Sequence, residues 1–244
     1  MFRKLMLLWG AVLLAFAPTA VEAARVSPMI VEVQPLGRGS IARILLTNDG
    51  QGEYPVEVQM FSGEISETGE LSLTPADEDF LLFPAQIVVA PQSQQVFRVQ
   101  YIGDPELAAS KIYYMQIRQI PVDLNPGESQ LQVVVNFNVL INVIPDGAKA
   151  EPVFEIVGPA SVDGVEGVQV RLQNQGTRYF TAGTSSWQID ATATDGSTVA
   201  LELTPEEVAQ LIGVGVVAPG RARLFFIPTE KALEEGTIQV SIGR

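Results

Sequence analysis

The sequence predicts an all-β protein made of two immunoglobulin-like β-sandwich domains, on three observations. From Gln130 to Pro145 the odd positions Leu131, Val133, Val135, Phe137, Val139, Ile141 and Val143 are all apolar, while Gln132, Asn136, Asn138 and Asn142 mark the other face; a period of two is the signature of a β-strand. Elsewhere short apolar runs are separated by Gly, Pro, Asn and Asp clusters, at the spacing expected of a sandwich and with no convincing helical period. Between two such series, Pro145-Asp-Gly-Ala-Lys-Ala-Glu-Pro152 is polar and bounded by proline, as a domain linker should be. Residues 24–147 and 148–244 are therefore expected to form the two domains.

In chain order, residues 25–33 alternate weakly and end in the turn cluster Pro35-Leu-Gly-Arg-Gly-Ser40. A strand follows to Thr47, with Ile44 and Leu46 on one face, and Asn48-Asp49-Gly50 closes it. Tyr54 to Phe61 is a further strand, and Gly63 to Gly69 reads as an acidic turn. Leu81 to Ala90 contains Phe83-Pro84 and Ile87-Val88-Val89, Val96 to Tyr101 alternates around Arg98, and Ser110 to Ile120 is stopped by Pro121. At about 3.3 Å per residue, the run from Gln130 would extend roughly 50 Å, far beyond an ordinary strand of five or six residues. Either it is a long, fully buried core strand, or part of its apolar ladder serves another protein. In the second series the expected strands are Phe154 to Val157, Gly167 to Gln173, Tyr179 to Ile189, Ala191 to Ala193, a short run near Leu201, Gly215 to Val217, Ala222 to Ile227 and Thr237 to Ile242. Only Thr204 to Leu211 reads as helix, with Thr204 as its cap and acids in the first turn.

The first 23 residues have the pattern of a cleaved secretory signal peptide: basic Arg3 and Lys4, the apolar run Leu5 to Ala17, and small residues at Val21 and Ala23. That apolar run is shorter than the roughly 20 residues of a membrane span, so export to the periplasm without membrane insertion is expected. The chain carries 15 Lys+Arg against 28 Asp+Glu; without the leader the balance is 13 against 27, a formal charge of −14. An acidic surface of this kind disfavours nucleic acid and anionic lipid as partners. Neither cysteine nor histidine occurs, so disulfides are excluded and serine-, cysteine- and zinc-hydrolase schemes lose their usual base, activator or ligand. A carboxylate pair of the glycosidase kind is what remains for catalysis. No glycine-rich phosphate loop is present, and no cofactor is expected.

Taken in order, Leu46-Thr-Asn48-Asp49, Pro55 and Gln59, Phe83-Pro84, Ala90-Pro91, Arg98, Tyr114 through Arg118-Gln-Ile120-Pro121, the long alternating strand ending at Pro145, and Leu172-Gln-Asn174 followed by Tyr179-Phe180 resemble a PapD-like periplasmic chaperone of the chaperone–usher pilus pathway. Val26-Ser27-Pro28 is closer to the divergent spore-coat-type and archaic branch. The resemblance implies a boomerang arrangement of the domains and pilin or fimbrial subunits as partners, with an outer-membrane usher as the recipient. It also implies a donor strand that completes the subunit's unfinished sandwich, with Leu131, Val133, Val135 and Phe137 at the donor positions and Val139, Ile141 and Val143 in the chaperone's own core. Self-association through the donor strand would hide the same edge in the free protein.

One departure from the family bears on function. The basic residues that hold the subunit's C-terminal carboxylate in the interdomain cleft correspond here to Glu32 and Leu140, and the arginine before the linker proline to Ile144. If Ser110–Ile120 and Gln130–Ile144 form a hairpin whose opposed residue numbers sum to about 250, Lys111 faces Val139 and Leu140 and can replace one of them; a sum of about 75 for the first two strands sets Arg43 opposite Glu32. Lys111 and Arg43 are thus the candidate carboxylate anchors, and Arg118 falls at the far tip of the hairpin. Loss of the usual anchors fits an alternative, an exported structural or adhesive immunoglobulin-like protein that no longer binds pilins.

Overall fold

A computed structural model describes residues 24–121 and 134–243. The first domain runs through β1 (Ala24–Ser27), β2 (Ile30–Val33), β3 (Ile41–Asn48), β4 (Tyr54–Ile65), β5 (Leu71–Pro75), β6 (Phe80–Phe83), β7 (Gln86–Val89), β8 (Ser93–Tyr101), β9 (Lys111–Gln119) and β10 (Asn136–Val143). One sheet has the order β1-β3-β8-β6, and the other β2-β10-β9-β4-β5 with β7 also paired to β4. The first segment changes sheets part-way: β1 lies antiparallel to β3, and after Pro28 and Met29 the chain continues as β2, parallel to β10.

Period-two patterning places one face of each strand in the sandwich. Ile44 and Leu46 of β3 and Phe97 and Val99 of β8 are buried with Val58 and Met60 of β4, Met115 and Ile117 of β9, and Val139, Ile141 and Val143 of β10. Burial of each such side chain stabilises the domain by about 1.5–3 kcal/mol before the entropy cost of ordering it. Asn48, buried at the end of β3, donates from Nδ2 to the carbonyls of Gly52, Val89 and Ala90 and accepts from the Gly50 amide. A short amide there satisfies loop backbone that would otherwise be buried without partners. β5 was not foreseen: the acidic turn contracts to Ser66–Glu70, and β4 continues past Phe61 to pair with Leu71–Pro75.

Residues 144–151 carry no strand. The second domain then comprises β11 (Pro152–Val162), β12 (Val165–Asn174), β13 (Phe180–Thr181), β14 (Ser186–Thr192), β15 (Thr198–Leu203), α1 (Pro205–Ile212), β16 (Val216–Val217), β17 (Ala222–Pro228) and β18 (Gln239–Gly243). Its sheets are β11-β12-β17, β13-β16 and β15-β14-β18. Val168, Val170 and Leu172 pack with Phe225, Ile227, Ile189 and Trp187, whose ring meets Phe154 and Phe225 edge-on at 5.5 and 6.0 Å. The expected helix is present and Thr204 caps it, with Glu207 completing a capping box. The expected strand Tyr179–Ile189 is broken at Ala182–Thr184, where a 3-10 turn lets the Trp187 indole donate to the Ala182 carbonyl. Asn174 repeats the role of Asn48: its side chain joins Glu151, Gly176, Arg178 and Val217.

A third apolar cluster lies between the domains. Ile112 of β9, Leu140 of β10 and Ile144 are buried with Tyr179 and Val216, and Ile65, Tyr114, Ala148 and Ala218 pack around them.

Candidate functional site

β10 is paired on both sides along only half of its length. Against β9 it is antiparallel from Asn136↔Arg118 to Val143↔Lys111. On the opposite edge β2 covers only Leu140 to Val143. The Leu140 and Ile144 amides donate to the Met29 and Val33 carbonyls, so even-numbered amides on this strand point to the β2 side. By the same alternation, the N–H and C=O groups of Asn136 and Asn138 point to an edge that no strand occupies among the described residues. The Val135 amide turns the other way and donates to Gln119 Oε1, while its carbonyl accepts from the Tyr54 hydroxyl. The side chains of Val134 and Val135, just before the strand, are 40% and 41% exposed.

The sequence-predicted donor residues divide as follows. Val135 is exposed beside the open edge. Phe137 is half-buried and packs against the first domain's core. Val139, Ile141 and Val143 are fully buried, as expected. Leu131 and Val133 lie outside the described residues, as do Gln130, where the long strand was expected to begin, and the signal-peptide segment; within the described residues β10 spans Asn136–Val143.

Both register estimates for the anchor are corrected. Opposed numbers on β9 and β10 sum to 254, so Lys111 faces Val143, four residues beyond Val139. Its side chain also lies on the sandwich side of the sheet, with Nζ 3.7 Å from Asp79 Oδ2 and 5.4 Å from the Tyr113 ring centre, whereas Leu140 faces the interdomain cluster. Arg43 does not face Glu32, because β2 and β3 belong to different sheets; Arg43 is opposite Arg98 on β8. Arg118 sits at the far end of β9, paired with Glu57 at 2.6 Å.

Glu32, Leu140 and Ile144 are used here to join the domains. Glu32 accepts from Arg178 Nη2 at 2.6 Å and from the Tyr179 hydroxyl. Burial, and then the Glu32 carboxylate, push the Tyr179 hydroxyl well above the ordinary phenol range. The Tyr179 amide donates to Ser110 Oγ, and the Ser110 amide donates to the Thr177 carbonyl. Leu140 and Ile144 supply apolar contact. Asn142, opposite Glu32 on β10, is fully buried with neither amide atom hydrogen-bonded. Arg178, Tyr179 and Ser110 escaped the sequence reading because no spacing connects them with Glu32, 146 and 147 residues away in the case of the first two. Beside this junction, a cleft of about 420 Å³ runs between β4, β9 and Ala218–Arg221, with Lys111 and Arg221 on its lining. The acids of the junction, Glu32, Glu64 and Glu67, each meet an arginine of the second domain, an arrangement unlike the two facing carboxyl groups of a glycosidase.

These features define a two-domain β-sandwich protein with one half-open sheet edge next to an interdomain junction. Among solved structures, the chain is similar to a chain of the Salmonella enterica SafA pilin–SafB chaperone complex at 14% identity and a TM-score of 0.54, covering 92% of this chain and 98% of that one. It is similar to a chain of the CsuC–CsuE chaperone–tip adhesion subunit pre-assembly complex of Acinetobacter baumannii at 9% and 0.52, covering 84% and 90%. The class 5 fimbriae chaperone CfaA matches at 11% and 0.53, covering 91% and 99%. The chain thus has the all-β, two-domain fold of the chaperone–usher pilus chaperones. No protein-family model matches it, and no curated protein does.

Proposed function

We propose that the protein is a periplasmic chaperone of pilus or fimbrial subunits, which it binds by donor-strand complementation and passes to an outer-membrane usher. The observation that carries this is the edge of β10 at Asn136 and Asn138, unpaired among the described residues and preceded by exposed Val134 and Val135. An incomplete subunit sandwich leaves an apolar groove beside unpaired backbone groups. A strand with free N–H and C=O groups and alternating apolar side chains satisfies both at once. Leu131, Val133 and Val135 fill the groove in this scheme, and Phe137 bridges it to the chaperone's own core. Binding needs no cofactor and no covalent chemistry.

Co-expression with candidate subunits, followed by co-purification and mass measurement, tests the proposal. Val135→Asp places a carboxylate in the subunit's apolar groove, where burying an unpaired charge is prohibitive. The free protein should stay folded, because the parent side chain is already part-exposed. Subunit yield should fall to background. Undiminished co-purification of Val135→Asp would reject donation through this face and leave the exported structural or adhesive role in its place.

A further inference from the structure

The outer face of the four-stranded sheet, on the other side of the first domain from β10, carries a row of residues at odds with the rest of the surface. On β8, odd residues are buried and even residues point outward, and on β3 the parity is reversed. The register then places Arg43 of β3, Arg98 of β8 and Phe83 of β6 side by side across three strands. Leu81 lies in the next row on β6, and Val96 and Leu45 face each other in the row on the other side. Phe83 is 76% exposed, Leu81 58% and Val96 46%. Neither Arg43 nor Arg98 has a hydrogen bond or ion pair among the described residues, in a chain with 28 acidic side chains available to pair with them.

Like charges directly opposite on a sheet destabilise it, and a Phe exposed to this degree contributes little to its own core. An arginine pair flanked by aromatic and aliphatic side chains is, however, the composition of a protein-interface centre. We infer that this face docks a short segment of another protein that presents carboxylates next to apolar side chains. The carboxylates pair with Arg43 and Arg98, and the apolar groups cover Phe83, Leu81 and Val96. Charge selects this occupant. A short segment samples the potential only within a Debye length of about 8 Å, and the two unpaired guanidinium groups set its sign there. An anionic bilayer or a second copy of the chain instead confronts the whole molecule's formal charge of −13.

An array of short synthetic peptides combining aspartate with phenylalanine or leucine, probed with the full mature protein, tests the inference. Peptides containing aspartate should be bound in preference to counterparts with asparagine. Arg98→Glu should weaken binding about tenfold or more, the effect of losing one central contact. That variant sets a carboxylate opposite Arg43, so its melting temperature should hold or rise. Phe83→Ser, at an exposed site, should stay folded and also lose binding. The inference fails if aspartate and asparagine peptides bind alike, or if the variants bind as the parent does. It fails equally if the parent binds phosphatidylglycerol vesicles, or forms Arg98-dependent dimers in sedimentation, in place of the peptides. Because β10 lies in the other sheet, loss of subunit capture in Val135→Asp and loss of peptide binding in Arg98→Glu are separate outcomes.

Discussion

Asp79 holds two groups of unlike character. Its Oδ2 accepts from the hydroxyl of the buried Tyr113 at 2.7 Å and lies 3.7 Å from Lys111 Nζ. Burial, followed by the Asp79 contact, raises the Tyr113 hydroxyl far above the phenol range. The lysine is half-exposed, and pairs of that kind are worth about 0–1 kcal/mol. Such a pair costs little to break, so we propose that Lys111, which lines the cleft beside the junction, leaves Asp79 for the terminal carboxylate of a bound subunit. Lys111→Met keeps the aliphatic stem and leaves Asp79 satisfied by Tyr113. Its unfolding midpoint should match the parent within error while subunit co-purification drops severalfold. Arg118→Met, at the other end of β9, should capture normally; equal loss in both variants, or in neither, would remove Lys111 from the site.

At the scale of one strand, β10 changes role along its length. From Leu140 onward it is a central strand, with β2 and β9 on its edges and apolar layers on both faces. From Asn136 to Val139 it is an edge strand. An edge strand tolerates proline where the missing N–H faced solvent, whereas a central one does not. Asn138→Pro should therefore fold with a modest loss of stability and fail to retain subunits, since the new strand loses a ladder hydrogen bond and meets the ring. Asn138→Ala keeps the backbone donor and gives up only the contact from Gln116, so it should retain them. Co-purification of both variants at parental yield would mean that subunits do not pair with this edge.

At the scale of the whole molecule, the domain junction has an apolar centre and a rim on which the first domain supplies acids and the second arginines: Glu32 with Arg178 at 2.6 Å, Glu67 with Arg171 at 2.7 Å and Glu64 with Arg221 at 4.0 Å. The exposed rim pairs set orientation more than stability. Tyr179 differs, because its ring is buried in the cluster while its hydroxyl donates to the Glu32 carboxylate. Hydrogen bonds to charged groups contribute about 1.5–3 kcal/mol. Tyr179→Phe should lower stability to urea by about 1–2 kcal/mol, and Arg221→Met by less than about 0.5 kcal/mol. Equal effects would mean that the junction is held by its rim.

The sequence by itself determined what depends on near neighbours. Alternation along Ile41–Asn48 and Val96–Tyr101 settled strand and buried face together, because a side-chain period of two leaves only one face for the core. Thr204 and the acids of the first turn announced the helix start, since a cap and its neighbours lie within one turn. Alternation marked Val139, Ile141 and Val143 as one apolar face of β10, and the resemblance assigned them to the core, where they are fully buried. Tertiary structure decided everything that depended on which strands meet. Register between β9 and β10 differed from the estimate by four, because their loop length does not specify how many residues the turn consumes. The partner of Glu32 came from residue 178 and not from Arg43, because the first segment changes sheets at Pro28. Asn142, which marks the strand's polar face in the sequence, is fully buried because the second domain covers that face. A strand's own periodicity records that it has two faces; what lies against the second is a property of packing between distant segments, which local sequence does not encode.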